Sequence, residues 1–420
     1  MERVVVTGLG FITSIGHARA AVLASLRESR HGLARCDFVP GADVPVKVAG
    51  IVRGFDVSSP HSNAWTWPAA FDLDRAFVRG LPPHGVHAAC ALSQALAESG
   101  LGADDLRDGD TGLFCASSGS PMLIRHHLNR LADTGWQRGH PLGVVSSVAG
   151  TLNFNFAAHY GIRGANCGFV SACTSGSHAL GCAFDEIALG RQKRMLVLAA
   201  EDLNAESLLP FAAMGALSLN ADPNTASRPF DRARDGFVGT GGAVALVLED
   251  ERAALRRGAR PQAVMRGWAQ AGDGHHVAQP EPEGAGLRRA MEKALAASAV
   301  ERAQVEYVNA HATSTPAGDR AEALALRAVF TAHAAHPSVS STKALTGHGL
   351  SLAGALEAAF CVLAVSDGVV PGNAHLAEPD EACAGLNLPR ASATARPAIV
   401  LNNSSGFGGA NVCHVFSRHD

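Results

Sequence analysis

The segment Gly168-Phe-Val-Ser-Ala-Cys173-Thr-Ser-Gly-Ser-His178-Ala-Leu180 decides the fold. A short apolar strand at 168–170 runs into a turn of small residues and then into an Ala/Leu-rich helix at 177–189, and Cys173 falls at the junction. Strand-to-helix passages of this kind build layered α/β proteins. A cysteine at a helix N-terminus meets unpaired backbone N–H groups and the positive end of the helix dipole, both of which favour thiolate. An ordinary thiol, with a pKa of about 8.5, is only slightly ionised at neutral pH, so this position predicts a nucleophile that needs no strong dedicated base. The competing reading is a small core residue, the ordinary fate of a cysteine among Ala and Val and the one assigned to Cys167 and Cys182.

The same alternation runs through the chain. Apolar strands at 4–6, 112–115, 195–199, 264–267, 305–309 and 412–416, and near Val339 and Ile399, are separated by stretches of helical period at 91–97, 177–189, 287–297 and 350–365. The rhythm restarts after the charged, Arg-rich segment 249–260, so two α/β halves are expected, 1–254 and 255–420. Gly8-Leu-Gly10 reads as a turn closing a short buried first strand. The stretch 52–86, with Pro60, Trp65, Trp67, Pro68, Pro82 and Pro83, reads as a surface excursion.

Composition narrows the function. Of 420 residues, 47% are hydrophobic and 17% charged, which excludes intrinsic disorder. With 35 basic and 38 acidic side chains the net charge is −3, too weak a field to hold nucleic acid or an anionic membrane. Nine cysteines, without a C-x-x-C pair or clustered histidines, indicate neither a disulfide framework nor a zinc site. No stretch reads as the roughly 18 apolar residues of a membrane span and no signal sequence is recognisable, so a cytoplasmic location is expected.

Three further segments carry chemistry. His311, in Asn309-Ala-His311-Ala-Thr313-Ser-Thr315-Pro-Ala-Gly-Asp319, stands just past a strand at a loop rich in hydroxyls. Lys343 and His348, in Ser340-Ser-Thr-Lys343-Ala-Leu-Thr-Gly-His348, bracket a turn before an Ala-rich helix on which Glu357 could pair the lysine. Asn403-Ser-Ser-Gly-Phe407-Gly-Gly-Ala-Asn411 is a glycine loop around one large ring. A phosphate-cradling loop is ruled out by the lack of G-x-x-x-x-G-K-[ST], and no G-x-G-x-x-G follows the first strand. Taken singly, each has a plain structural explanation: a solvated lysine, a capping histidine, a close backbone turn.

Together the four blocks resemble the signature segments of the elongating β-ketoacyl-acyl-carrier-protein synthases. Arg3-Val-Val-Val-Thr-Gly-Leu-Gly10 and Ser227-Arg-Pro-Phe-Asp-Arg-Ala-Arg-Asp235-Gly-Phe237 are similar to family segments in the same order. The resemblance implies a thiolase-like fold, two similar α/β halves in five αβαβα layers, and a decarboxylative Claisen condensation. On it, Cys173 takes the acyl group, His311 and His348 stand at the enolate oxygen, and Lys343, paired with Glu357 or Asp319, positions His348. The N–H groups of Cys173 and Phe407 form an oxyanion hole, the Phe407 ring gates the pocket, and Thr313 and Thr315 hold the pantetheine arm. No metal or cofactor is implied beyond the phosphopantetheine of an acyl carrier protein, which is the expected partner. Arg125 or Arg130 would supply a basic patch for it. A homodimer is expected, with a heterodimer with a sister synthase as the alternative, in fatty acid or polyene/polyketide synthesis. The competing function is a non-catalytic partner subunit of the chain-length-factor kind, which lacks the cysteine. Two departures, Ala312 for a glycine and Ser405 for a phenylalanine, imply a wider or differently hinged pocket, and segment 117–124 lies where the family lines its acyl pocket.

Overall fold

In the computed structural model, which describes residues 1–39 and 42–419, ten strands form one continuous sheet, beside a separate two-stranded ribbon of Leu33–Arg35 and Val48–Gly50. The first five are β1 (Val4–Ile12), β2 (Thr111–Ala116), β3 (Asn166–Phe169), β4 (Arg194–Glu201) and β5 (Gly242–Asp250), and they lie in the order β3-β2-β4-β5-β1. The next five, β6 (Ala263–Gly272), β7 (Tyr307–Asn309), β8 (Ser338–Ser340), β9 (Ile399–Gly406) and β10 (Ala410–Ser417), repeat that order as β8-β7-β9-β10-β6. The directions repeat as well. In each set the first three strands across the sheet are parallel and the last two pairings antiparallel. The sets meet where Val4–Val6 of β1 pair antiparallel with Met265–Ala263 of β6.

Side-chain alternation along the strands sorts the helices into layers. Met195, Val197 and Ala199 of β4 face a central layer made of α3 (Ser175–Ala188) and α6 (Ala353–Asp367), with α1 (Pro83–Ser99) against Leu196, Leu198 and Ala200 on the opposite face. The second sheet presents Val400 and Phe416 to the central layer. It presents Leu401 and Val415 to α4 (Ala285–Ala297) and α5 (Pro316–Val329). Covered on both faces, the strands need continuous apolar sequence. The result is five layers, αβαβα, a thiolase-like fold. α2 (Pro121–Thr134) lies outside them, with Ile124, Leu128 and Leu131 exposed.

The structure corrects three readings of the sequence, the first being Cys167, which is exposed on β3 and not a core residue. Gly8 and Gly10 are not a turn; β1 continues through them to Ile12, with a shift of pairing register between Val6 and Gly8. They are glycines because α1 crosses at backbone distance: a Cβ on Gly10 would lie 1.8 Å from the carbonyl oxygen of Ala91, and one on Gly8 2.3 Å from that of Ala95. The stretch 52–86 is a surface excursion over residues 52–79, nearly all of them exposed or half-buried, pinned by one buried ring. Trp65 is fully buried in the cluster under α1, its Nε1 donating to the Ser59 carbonyl at 2.6 Å. The charged run 249–260, expected as the boundary between the halves, opens inside the core. Glu249 closes β5 as a buried carboxylate that accepts from Thr7 Oγ1 at 2.5 Å and from Arg257 Nε at 2.9 Å. Finally, Leu350–Asp367 is a helical stretch long and apolar enough to cross a membrane, and it is buried in the central layer instead.

Substituting Gly10→Ala should therefore destabilise the protein by about 3 kcal/mol or more, because backbone rather than a flexible side chain must move. Urea unfolding of this variant against wild type measures it; an unchanged midpoint would show that α1 does not pack where described.

Candidate active site

Cys173 occupies a strained elbow between β3 and α3. Ala172, just before it, has φ +51, and a set of local hydroxyl bonds holds that geometry. Thr174 Oγ1 donates to the Ser171 carbonyl at 2.6 Å, Ser175 Oγ to the Ala172 carbonyl at 2.6 Å, and Ser171 N to Ser175 Oγ at 2.8 Å. The hydroxyl residues after the cysteine thus fix the backbone that aims its sulfur.

His348 approaches from the second half, on the turn that leads through the 3₁₀ segment Leu350–Leu352 into α6. Its Nε2 lies 3.1 Å from Cys173 Sγ. His311, just past β7, sets its ring edge-on to His348, with centroids 5.4 Å apart at 87°. Phe237 packs edge-on against His348 from another direction, at 5.2 Å. Cys173, His311, His348, Thr313, Thr315 and Phe407 line one cavity of about 530 Å³. The hydroxyls of Thr313 and Thr315 are 3.1 Å apart. Gly406, preceding Phe407, rests on the elbow; a Cβ there would lie 3.2 Å from the backbone nitrogen of Cys173. The Phe407 ring is 37% exposed and faces Phe211, with centroids 6.0 Å apart.

Lys343 does not reach the cavity. Its ammonium is buried against the Glu357 carboxylate, which settles which of the two expected acids pairs it. Asp319 is elsewhere: it accepts from Ser314 N at 3.0 Å and Phe230 N at 2.8 Å and lies 3.7 Å from Arg234 Nε. Its carboxylate caps the loop after His311 from the first turn of α5, too far round that loop to touch Lys343. The residue that the sequence reading missed is Glu322, one turn further along α5. It accepts from His311 N at 3.0 Å, Ala312 N at 2.6 Å and Asn403 Nδ2 at 3.2 Å. The available signal was the Asp319-x-x-Glu322 spacing, which places both acids on one face of the helix.

Dryness sets the protonation states. Burial pushes the Cys173 thiol up to about 12, and the nearby Lys343 ammonium only partly opposes it. The helix N-terminus that favours thiolate is present, and a backbone N–H, like Lys343, works against the rise. Burial, and then the Lys343 charge, hold His348 well below the ordinary imidazole range; the same two causes, joined by His348, do so for His311. A neutral thiol and two neutral imidazoles therefore share the cavity.

The two departures have separate outcomes. Ala312 is buried away from the cavity, its carbonyl accepting from Ser341 Oγ at 2.7 Å. Ser405 lines the cavity and donates to Asn411 Oδ1 at 2.7 Å, and Asn411 Nδ2 donates to Asp273 Oδ1 at 2.7 Å. Segment 117–124 does not line the cavity at Cys173. Its hydroxyls serve buried acids, Ser118 Oγ donating to Glu201 at 2.8 Å and Ser120 Oγ to Asp202 at 2.6 Å. Among the described residues no group of three or more His, Cys, Asp or Glu side chains is placed to hold a metal ion.

Comparison with known proteins agrees with this geometry. Residues 1–254 match the family profile of the β-ketoacyl synthase N-terminal domain and residues 262–377 that of the C-terminal domain. The chain is 35% identical to a 3-oxoacyl-[acyl-carrier-protein] synthase 2 of Synechocystis sp., covering 100% of this chain and 98% of that one. It is 34% identical to synthase 1 of Escherichia coli, covering 100% and 99%. A β-ketoacyl synthase from Burkholderia phymatum superposes with a TM-score of 0.91 at 32% identity, and the ishigamide ketosynthase/chain length factor with 0.86 at 29%, each over the full length of both chains. With both halves matched and the likeness running from end to end, the chain belongs to the β-ketoacyl synthase family.

Proposed function

We propose that the protein is a β-ketoacyl-acyl-carrier-protein synthase, a decarboxylating acyltransferase that forms carbon–carbon bonds in fatty acid or polyketide elongation, with its halves dividing at residues 254 and 255. The observation that carries the reading is the 3.1 Å approach of His348 Nε2 to Cys173 Sγ, with His311 beside them in one cavity. A non-catalytic partner subunit has no use for such a pair.

Cys173 attacks the carbonyl carbon of an acyl thioester carried on phosphopantetheine. Because sulfur and imidazole are both neutral at rest, the thiol proton passes to His348 Nε2 as the C–S bond forms, and from there to the departing pantetheine sulfur. The N–H groups of Cys173 and Phe407 receive the tetrahedral oxyanion, and Phe407 moves aside for the acyl chain. Malonyl carrier protein then loses carbon dioxide. The electron pair of the broken C–C bond remains as an enolate, whose oxygen accepts hydrogen bonds from His311 and from His348, the latter after exchange to its Nε2–H tautomer between the half-reactions. The enolate carbon attacks the Cys173 thioester and expels the thiolate. Thr313 and Thr315, at the cavity mouth, suit the amides of the pantetheine arm. Lys343 and Glu357 act at one remove, Lys343 through its charge on Cys173 and His348, while Glu322 and Asp319 hold the His311 loop.

A homodimer through the first half is supported by β3, an edge strand with Asn166 and Cys167 exposed, since an uncovered edge invites pairing.

Intact-mass measurement after incubation with a panel of acyl carrier proteins tests the reading. Wild type should gain one acyl group and Cys173→Ala none; equal gain by both, or by neither, overturns it. His311→Ala should still be acylated while its malonyl decarboxylation falls about 10²- to 10³-fold, read as carbon dioxide release. Lys343→Met removes the cation that draws the thiol down. Alkylation of Cys173 by iodoacetamide at fixed pH should slow by about tenfold for each unit of upward pKa movement, and a rate equal to wild type would remove Lys343 from its assigned role.

A further inference from the structure

We infer that Glu201, buried between the two halves, is a positioning residue that holds the His348 turn in its working shape. The inference rests on the synthase reading.

The turn needs holding. Between His348 and the start of α6 lies Leu350, with φ +48, in the left-handed region that a leucine rarely adopts. Asn or Asp can support that conformation by bonding to the local backbone, and leucine cannot. The Leu350 side chain is buried in the wall of the active-site cavity, in one apolar cluster with Phe237 and Leu208. A strained residue of this kind persists only where the surroundings fix the chain on both sides of it. On the near side, His348 N donates to the Val238 carbonyl at 2.7 Å, and the His348 carbonyl accepts from Thr240 N at 3.1 Å. On the far side the fixing group is one carboxylate.

Glu201 ends β4 and has no exposed surface. Its Oε2 accepts from Ser351 N at 3.2 Å and from Ser351 Oγ, so it grips the residue after Leu350 by both backbone and side chain. The same oxygen accepts from Ser118 Oγ at 2.8 Å, and Oε1 accepts from Asp202 N at 3.3 Å. The base of the clamp is itself fixed. Asp202 accepts from His84 N at 2.9 Å and from Ser120 Oγ at 2.6 Å and pairs with His84 Nδ1 at 2.8 Å, while His84 Nε2 lies 2.7 Å from Ser117 Oγ. Burial pushes the Glu201 carboxyl up, and the His84 charge and the Ser351 and Ser118 hydroxyls draw it back.

The clamp therefore belongs to the first half and the residue it grips to the second. With Ser351 released, Leu350 can fall back to the right-handed region, a change of about 110° in φ. That rotation swings His348 relative to α6 and draws Nε2 away from the Cys173 sulfur.

The test follows acylation of Cys173 in the full-length protein by a short acyl-N-acetylcysteamine thioester, read by intact mass. Ser351→Ala, which removes the hydroxyl and leaves the N–H, should slow acylation by about tenfold, and Glu201→Gln should slow it further. Glycine adopts the left-handed turn without strain. Leu350→Gly added to Glu201→Gln should therefore recover about fivefold of the lost rate without raising the unfolding temperature; added to wild type it should not raise the rate. Recovery of rate without recovery of stability separates positioning from general support of the fold. Wild-type rates in both single variants, or a double variant no faster than Glu201→Gln, overturn the inference. If Glu201→Gln does not fold, Ser351→Ala with and without Leu350→Gly makes the same comparison. A wild type that takes up no acyl group counts against the synthase reading instead. The crystal structure of Ser351→Ala/Glu201→Gln then decides this one: Leu350 at negative φ with His348 displaced upholds it, and an unmoved turn sinks it.

Discussion

The close approach of two helix beginnings governs this molecule. α3 and α6 are the central layer, and their first turns touch through glycines: a Cβ on Gly176 would lie 2.9 Å from the Ser351 carbonyl oxygen, and one on Gly354 1.9 Å from Ser177 Oγ. Cys173 stands just before one helix and His348 just before the other. A larger residue at either glycine would push the helices apart and open the distance between sulfur and imidazole. The surrounding sheets make that geometry rigid, since both faces of every central strand are packed and no layer can slide without exposing apolar surface.

The same burial sets the chemistry. A helix N-terminus draws a cysteine toward thiolate, while burial raises the Cys173 thiol and lowers both imidazoles. Charge is confined to a place where it is answered, the Lys343–Glu357 pair behind the cavity. From there the lysine acts on Cys173 and both histidines through space. Hydrogen bonds from backbone N–H groups, which carry no net charge, are left to hold the loops in position, through Glu322 and Asp319.

Much of this was legible in the sequence. The α/β alternation and the reactive blocks follow from strands, turns and small residues near the chain's polar islands, whereas the convergence of those blocks was implied only by the family resemblance. What escaped has a common cause. Gly8 and Gly10 look like a turn because nothing local reveals the helix lying across them. Trp65 sits in a Pro-rich run without periodicity, yet its burial depends on α1, which begins 18 residues later. The burial of Glu249 and Glu322 has no local signal, because their partners, Thr7 and Arg257 for one and backbone amides for the other, are supplied by the tertiary fold. The thiol's protonation state likewise depends on how much protein covers it, which a helix-terminus rule does not contain.

The repeated strand order carries an evolutionary meaning. Matching positions in the two sets have opposite duties: the step from β3 to α3 delivers sulfur, and the step from β8 to α6 delivers imidazole and ammonium. A doubled ancestor held in one polypeptide can specialise in this way, each copy shedding what its twin retains. Neither copy could then be returned to independent life, because the reaction centre is the seam between them.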